Sequence, residues 1–480
     1  MKLDPREGYA TTVSAEDEAR IEAFCSDCHA LPQPRSFVRS DWHARIRLGY
    51  EYYGRSGRTD LDAPPIQATV AYYTARAAET LDHPQAVEAE KPFGVAFRRQ
   101  ELALEPGRGQ PAIAHLCWSG LRAEGAPLLL ASDMGSGEIT ATELPTGNVR
   151  RLARLDSPCL FHPCDLNQDG RMDLVVGDLG GYTAMDQPHG RVVWLRQRTA
   201  GDFEEVVLAE GLGRVADARA ADFDGDGDLD VVVAEFGWEL TGNVVYLDNV
   251  ASGDEPPRFE ARQLDPRPGA ICVPIHDFNG DDRPDFVALI SQEHECATLF
   301  MNQGEGRFHQ DTLWRAPDLA FGSSMLELAD LDSDGDVDVL YVNGDAFDNN
   351  RITPWHGLGW LENRGAAGFE RRQITYLAGA CRARAGDFDR DGDQDIVLTA
   401  FVPTAVDERT MPAGPRASVL MLEQASPGEF ARHTLETGTP NHAALESGDF
   451  DDDGDLDFAV GAHRSGWGPL TQRITIWWAE

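Results

Sequence analysis

Ala221-Asp-Phe-Asp-Gly-Asp-Gly-Asp-Leu-Asp230 runs straight into Val231-Val-Val233. Asp222, Asp224 and Asp226 alternate with uncharged residues, Gly227 allows a sharp turn, and Asp230 closes the loop before an apolar run. Oxygen donors at positions 1, 3, 5 and 9, with a main-chain carbonyl at position 7 (that of Asp228), form the donor set of a Ca²⁺ ion and suit Mg²⁺ less well. An EF-hand would continue to a Glu at position 12 on a helix, whereas Val233 stands there, inside a predicted strand. The stretch therefore predicts a calcium loop within a β-hairpin.

The same pattern returns five times. Asp165, Asn167, Asp169 and Asp173 form one loop with the Arg171 carbonyl, and Asp277, Asn279, Asp281 and Asp285 another with the Arg283 carbonyl. Asp330, Asp332, Asp334 and Asp338 follow with Asp336 at position 7, then Asp387, Asp389, Asp391 and Asp395 with Asp393, and Asp449, Asp451, Asp453 and Asp457 with Asp455. The loops start 57, 55, 53, 57 and 62 residues apart, the signature of an array of structural repeats. Each ends in a strand such as Leu174-Val-Val, Ile396-Val-Leu or Phe458-Ala-Val. A second strand follows, as in Gly242-Asn-Val-Val-Tyr-Leu, and a third after a turn, as in Phe259-Glu-Ala-Arg-Gln-Leu. With the strand leading into each loop this makes four strands per repeat, the size of a propeller blade.

Outer strands begin at Phe97, Val149, Phe203, Phe259, Phe308, Phe369 and Phe430, and the last middle strand, Ile474-Thr-Ile-Trp-Trp478, has no outer strand after it. The unmatched first one, Phe97-Arg-Arg-Gln-Glu-Leu, is expected to pair with it and close the ring, which removes two exposed edges. The repeat around Ala114-His-Leu-Cys-Trp-Ser-Gly lacks the Asp pattern, so the count is seven blades and up to six calcium loops. In the loop at Asp277, Asp282 replaces the usual glycine, at some cost if φ is positive. These motifs resemble FG-GAP (VCBS-type) repeats, found in integrin-type propellers and many secreted bacterial proteins. The resemblance covers residues 96–480 and implies a mainly β, seven-bladed propeller whose calcium is structural.

The composition agrees. The chain has 480 residues, 47 Gly and 28 Pro, and 42 Lys plus Arg against 81 Asp plus Glu, a formal charge of −39. Such a surface makes nucleic acid and anionic membrane poor partners. No stretch reaches the length of a transmembrane helix. Met1-Lys-Leu-Asp-Pro-Arg-Glu-Gly has no apolar leader region, so a chain that works outside the cytoplasm is here in a mature or trimmed form.

Ahead of the repeats, Ser14 caps a predicted helix that runs into Cys25-Ser26-Asp27-Cys28-His29, and a further helix is predicted over Pro64–Arg76. C-x-x-C-H is the c-type haem attachment pattern: two thiols on one turn reach both vinyl groups of a porphyrin, and the next residue offers an imidazole to the iron. With Cys28-His-Ala-Leu-Pro-Gln-Pro-Arg and Trp42, residues 1–82 resemble class I cytochromes c, in particular single-haem domains of secreted planctomycete-type bacterial proteins. The resemblance implies a small all-α domain, one covalent haem c on Cys25 and Cys28, and His29 as proximal ligand. A distal Met is not found: Gly49-Tyr-Glu-Tyr-Tyr53 occupies its region, so the sixth position is empty or falls to His43, a Tyr or Met134. Residues 83–95 read as a linker.

The loops opposite the Asp loops carry Tyr182, Met185, His189, Trp238, His294, Trp355, His356 and Trp467, a candidate docking surface for the haem domain or a partner. His162, Arg219, Glu327, Arg384 and Glu446 each stand three residues before an Asp loop and are expected to line the channel with ordinary hydrogen bonding. Cys117, Cys159, Cys164, Cys272, Cys296 and Cys381 read as free thiols. No nucleophile elbow, P-loop or dinucleotide fingerprint is present. The expectation is a periplasmic or extracellular electron-transfer protein that meets a redox partner or small donor or acceptor, with the propeller as scaffold. A haem enzyme with an open iron site and a carbohydrate- or protein-binding adhesion propeller are the alternatives.

Overall fold

The computed structural model describes residues 13–103, 109–121, 126–251, 256–347, 349–438, 440–464, 470 and 472–480. Seven antiparallel sheets follow one another around a ring. The second strand of each Asp-containing repeat, such as Asp230–Glu235 or Asp338–Asn343, is buried along its whole length. It lies between the neighbouring blades, which is why it reads as an unbroken Val/Ile/Leu run rather than an alternating one. Each such run removes several branched side chains from water, at about 1.5–3 kcal/mol apiece.

The ring closes as the sequence predicts. Phe97–Ala103 pairs antiparallel with Gln472–Ala479, Phe97 opposite Ala479 and Leu102 opposite Ile474. The first blade, Ile113 to Arg154, keeps four strands without an Asp loop. In all seven blades the inner strand slips register near its start, as between Val215 and Asp217 or Ala380 and Arg382. A bulge here adds twist and turns the inner strands around the channel.

The N-terminal segment is helical, with α1 (Ala15–Cys25), α2 (Trp42–Ser56) and α3 (Ile66–Arg76). Ser14 caps α1 by accepting the Asp17 N–H at 3.1 Å. The sequence expectation that this helix runs on to His29 needs correction. It stops at Cys25: Ser26 is the C-cap, its N–H making the last bond to the Glu22 carbonyl, and Cys28 and His29 lie in the bend beyond. Trp42 stacks on Tyr73 at 4.1 Å, with Ile21, Phe37, Ile46 and Val70 around them. Ala320 of the propeller completes this small core, so the helices form a cap on the ring rather than a detached unit.

Residues 83–95 are not a loose tether. Ala89 N–H bonds to the Arg432 carbonyl, Glu88 accepts from Arg432 and Thr434, His83 bonds to the Thr410 carbonyl, and Phe93 is buried. The segment runs along the outer strand Glu429–Thr437 of the sixth blade.

Candidate functional site

Each Asp loop folds around its first aspartate. Asp222 accepts N–H bonds from Gly225 and Gly227, Asp330 from Asp334 and Gly335, and Asp449 from Asp453 and Gly454. The arrangement needs two left-handed residues per loop. Position 6 carries φ of +82° to +98° at Gly170, Gly227, Gly335, Gly392 and Gly454, and +62° at Asp282. Position 4 is left-handed too, at Gln168, Gly225, Gly280, Ser333, Arg390 and Asp452, which was overlooked in the sequence. The glycines at 225 and 280 were its only sequence signal.

The ninth aspartate has a second job. Asp338 accepts the Asn363 N–H at 2.7 Å and the Leu331 N–H at 3.0 Å; Asp230 accepts from Asn249, Phe223 and the Tyr246 hydroxyl. Asp285, Asp395 and Asp457 are bonded in the same way, and Asp173 takes the Gln197 N–H and the Trp194 indole N–H. These carboxylates pin each loop to the third strand of its blade. Except in the last blade, where Ala479 stands there, the residue each bonds near the end of that strand is an Asn or Gln, whose side-chain amide reaches the preceding blade in three cases: Gln197 to the Leu121 carbonyl, Asn302 to Phe223, and Gln424 to Leu331. A polar residue closing an apolar strand marks this tie in the sequence.

In four loops three carboxylates converge, each with an oxygen within 4.8 Å of the others: Asp222, Asp224 and Asp230; Asp330, Asp332 and Asp338; Asp387, Asp389 and Asp391; Asp449, Asp451 and Asp453. The other two differ. Asn167 and Asn279 donate to Asp169 and Asp281, on which Arg171 and Arg283 also close their guanidinium groups. The side chain at position 7 thus brings its own cation to those loops, and the six sites are not equivalent. Buried oxygens of Asp332, Asp387, Asp228 and Asn167 have no hydrogen-bond donor among the described residues, which is what a cation would supply. Burial and then the neighbouring aspartates push Asp228 up to about 6, and Asp393 likewise to about 6. The donor set fits a hard divalent cation.

In the cap, Cys25 is half-buried beside the Tyr73 hydroxyl, and burial raises its thiol to about 11. Cys28 is exposed, with the Arg58 guanidinium 3.1 Å from its sulfur and 2.6 Å from Asp27. His29 places Nδ1 2.8 Å from the Ala30 carbonyl. That bond fixes the tautomer with Nε2 bare, as a metal-ligating imidazole requires. Phe24 packs against Tyr50 and Tyr53 at 5.2 and 5.0 Å, and Cys25 belongs to the same apolar cluster as Tyr50. The residues present fit a covalent porphyrin. Among the distal candidates, Tyr50 and Tyr53 spend their hydroxyls on the Pro64 and Leu61 carbonyls, and His43 lies on the exposed side of α2. Met134 belongs to the first blade of the propeller.

The cap docks on the mouth opposite the Asp loops. Asp41 pairs with Arg351 at 2.6 Å, Arg55 with Glu239 at 2.8 Å, and Arg45 donates to the Asn349 carbonyl at 2.8 Å. Of the aromatic and histidine residues expected there, Trp355 meets the cap through its indole N–H on the Ser36 hydroxyl. His356 is simply packed, its imidazole pushed down to about 3 by burial. Tyr182, Met185 and His189 line an open cavity of about 170 Å³ with Arg214. Trp238 and His294 are half-buried in their own loops, and Trp467 lies outside the described residues. In the channel Arg384 bridges Glu327 and Glu446, Arg219 pairs with Asp217 at 2.9 Å, and His162 is pushed down to about 4 by burial, as wall packing predicts. All eight cysteines are free, and Cys159 and Cys164 pack into different clusters.

The sequence matches the profile of FG-GAP-like repeats over residues 165–233, 277–341 and 330–398. The chain carries FG-GAP repeats. The loop at Asp449 lies beyond the matched segments and folds around its first aspartate as the others do. Two solved structures of BBS1N in complex with ARL6DN, one soaked with lead and one with mercury, are 10% and 11% identical. They cover 80% and 79% of this chain and 96% of theirs, at TM-scores of 0.47 and 0.46. No curated protein matches the sequence.

Proposed function

We propose that this FG-GAP propeller is the calcium-stabilised scaffold of an extracytoplasmic c-type cytochrome. The observation that carries the reading is the Cys25–His29 bend at the end of α1, where His29 spends Nδ1 on a carbonyl and keeps Nε2 for a ligand. Cys25 and Cys28 would hold haem through thioether bonds, and His29 would be its axial ligand. Haem bound there supplies a one-electron redox centre. The chain's own contribution is to place that centre at the protein surface, on a cap fastened to a rigid ring. The converging carboxylates of the Asp loops would each hold Ca²⁺, which relieves their mutual repulsion and couples metal binding to folding. Among the described residues no helix is long and apolar enough to cross a membrane. Covalent haem and millimolar calcium both suit the periplasm or the extracellular space.

The deciding experiment is expression in a host that matures c-type cytochromes, followed by intact mass and a pyridine haemochrome spectrum. The expected result is one haem per chain, lost in the Cys25→Ala, Cys28→Ala variant. A bare polypeptide from such a host would refute the cytochrome reading. A reduced spectrum that moves on adding CO would turn it toward a haem enzyme with an open iron site. The open cavity beside Tyr182 and His189 favours a second reading, a propeller that binds a sugar or protein. Glycan or partner binding that persists in the double-cysteine variant would support it.

A further inference from the structure

The bend that carries His29 continues onto the propeller. Seven residues on, the chain crosses the loop between the fourth and fifth blades, where Asp318 is fully buried. One carboxylate oxygen of Asp318 accepts the Gln33 N–H at 2.5 Å and the Ser36 hydroxyl at 2.8 Å; the other accepts the Ala320 N–H at 2.7 Å. Ser36, itself fully buried, accepts the Trp355 indole N–H at 2.9 Å. The Arg35 guanidinium lies 4.1 Å over the Trp355 ring. Three cap residues, Gln33, Arg35 and Ser36, are thus tied to two propeller side chains.

A buried carboxylate is tolerated only when its acceptor sites are filled. Two of the three donors to Asp318 come from the cap, so the ring alone gives this residue little to do. The first helix ends before the bend and α2 and α3 follow the clamp, and the chain between Cys28 and Gln33 is too short to move independently of it. An imidazole presented to a metal needs its backbone held as well as its ring.

We propose that Asp318 and Trp355 are positioning residues for His29: the propeller fixes the turn after it and thereby the orientation in which the imidazole meets the iron. This rests on the haem reading above. It makes the ring part of the redox site's construction rather than a mere carrier.

The test uses the full-length chain and two variants, Asp318→Asn and Trp355→Phe. The second keeps an aromatic ring for Arg35 while removing the N–H and part of the indole, so it stays informative if the first folds poorly. In the haem-free Cys25→Ala, Cys28→Ala background, amide exchange at Gln33, Arg35 and Ser36 should rise about tenfold or more in both variants, while the buried second strands stay unchanged. In the haem-loaded chain the midpoint potential and the oxidised spectrum should shift, more for Asp318→Asn. Unaltered exchange would overturn the clamp. Faster exchange with an unmoved potential and spectrum would make it a structural contact only. If the parent chain takes no haem, the cytochrome reading and this role for His29 fall together, and the exchange data then report the clamp alone.

Discussion

Asp338 and Asp332 stand in the same loop, yet their substitutions should behave differently. Asp338 accepts two backbone N–H groups that have no water to turn to, so Asp338→Ala should cost about 2–4 kcal/mol already in chelator, and more in calcium. Asp332 has a buried oxygen without a donor, so Asp332→Asn should leave the chelated protein as stable as before and weaken only the calcium-induced rise in Tm. Thermal melts in calcium and in chelator separate the two; equal losses in chelator would deny the division of labour. The loops also set a pH dependence for the metal-free protein. Burial, with neighbouring carboxylates, lifts Asp230, Asp285 and Asp457 to about 6 and Asp338 and Asp395 to about 7. Their folded values lie above those of the unfolded chain, so stability in chelator is fullest below about pH 4 for this set and is lost as pH rises toward 7. Calcium takes deprotonated ligands, so its stabilising effect should grow over the same window. A chelated Tm that is flat between pH 4.5 and 7.5 would contradict this.

The Asp loop as an element was legible because its ligands repeat at fixed positions, and so was the buried strand behind it. Its backbone was legible only in part. Position 6 shows itself through glycine in five loops, whereas position 4 is filled by Gln168, Ser333, Arg390 and Asp452 as readily as by glycine. Left-handed strain there is offset by N–H bonds to the first aspartate, so no residue type betrays it. Asp282 is the test of that offset. It holds φ of +62° where the other loops use glycine, and Asp282→Gly should raise stability by about 0.5–1 kcal/mol in denaturant titration. A loss of stability would mean that the Asp282 side chain serves the loop. The end of α1 is hidden for a related reason: Ser26 looks like an ordinary helix residue, and only its non-helical backbone shows that the helix terminates there.

At the scale of the molecule, strand counting reveals the closure of the ring, while the docking of the cap is legible only as a group of aromatic and histidine residues on one mouth, a candidate surface for the haem domain or a partner, of which Trp355 meets the cap. Contacts such as Asp318 with Gln33 join residues 285 positions apart, and nothing in either local sequence marks them. Closure is different, because a missing outer strand at one end and a surplus one at the other can be read directly. It also makes the two ends of the propeller hold each other. Trp478 is buried between Leu102 and Phe450, and its indole N–H bonds Gln100 at 3.0 Å, so one side chain near the C-terminus packs on a strand that begins at Phe97. Trp478→Ala should therefore cost about 3–5 kcal/mol. Since each blade is braced by its neighbours, the loss should appear as a lower urea midpoint of a single transition for the whole ring. Amide exchange along Phe97–Ala103 should quicken together with that of Asp457–Ala462, the strand on the other side of Trp478's own. Unfolding confined to the last blade, with the other six melting at their original midpoint, would show instead that the ring does not depend on its closure.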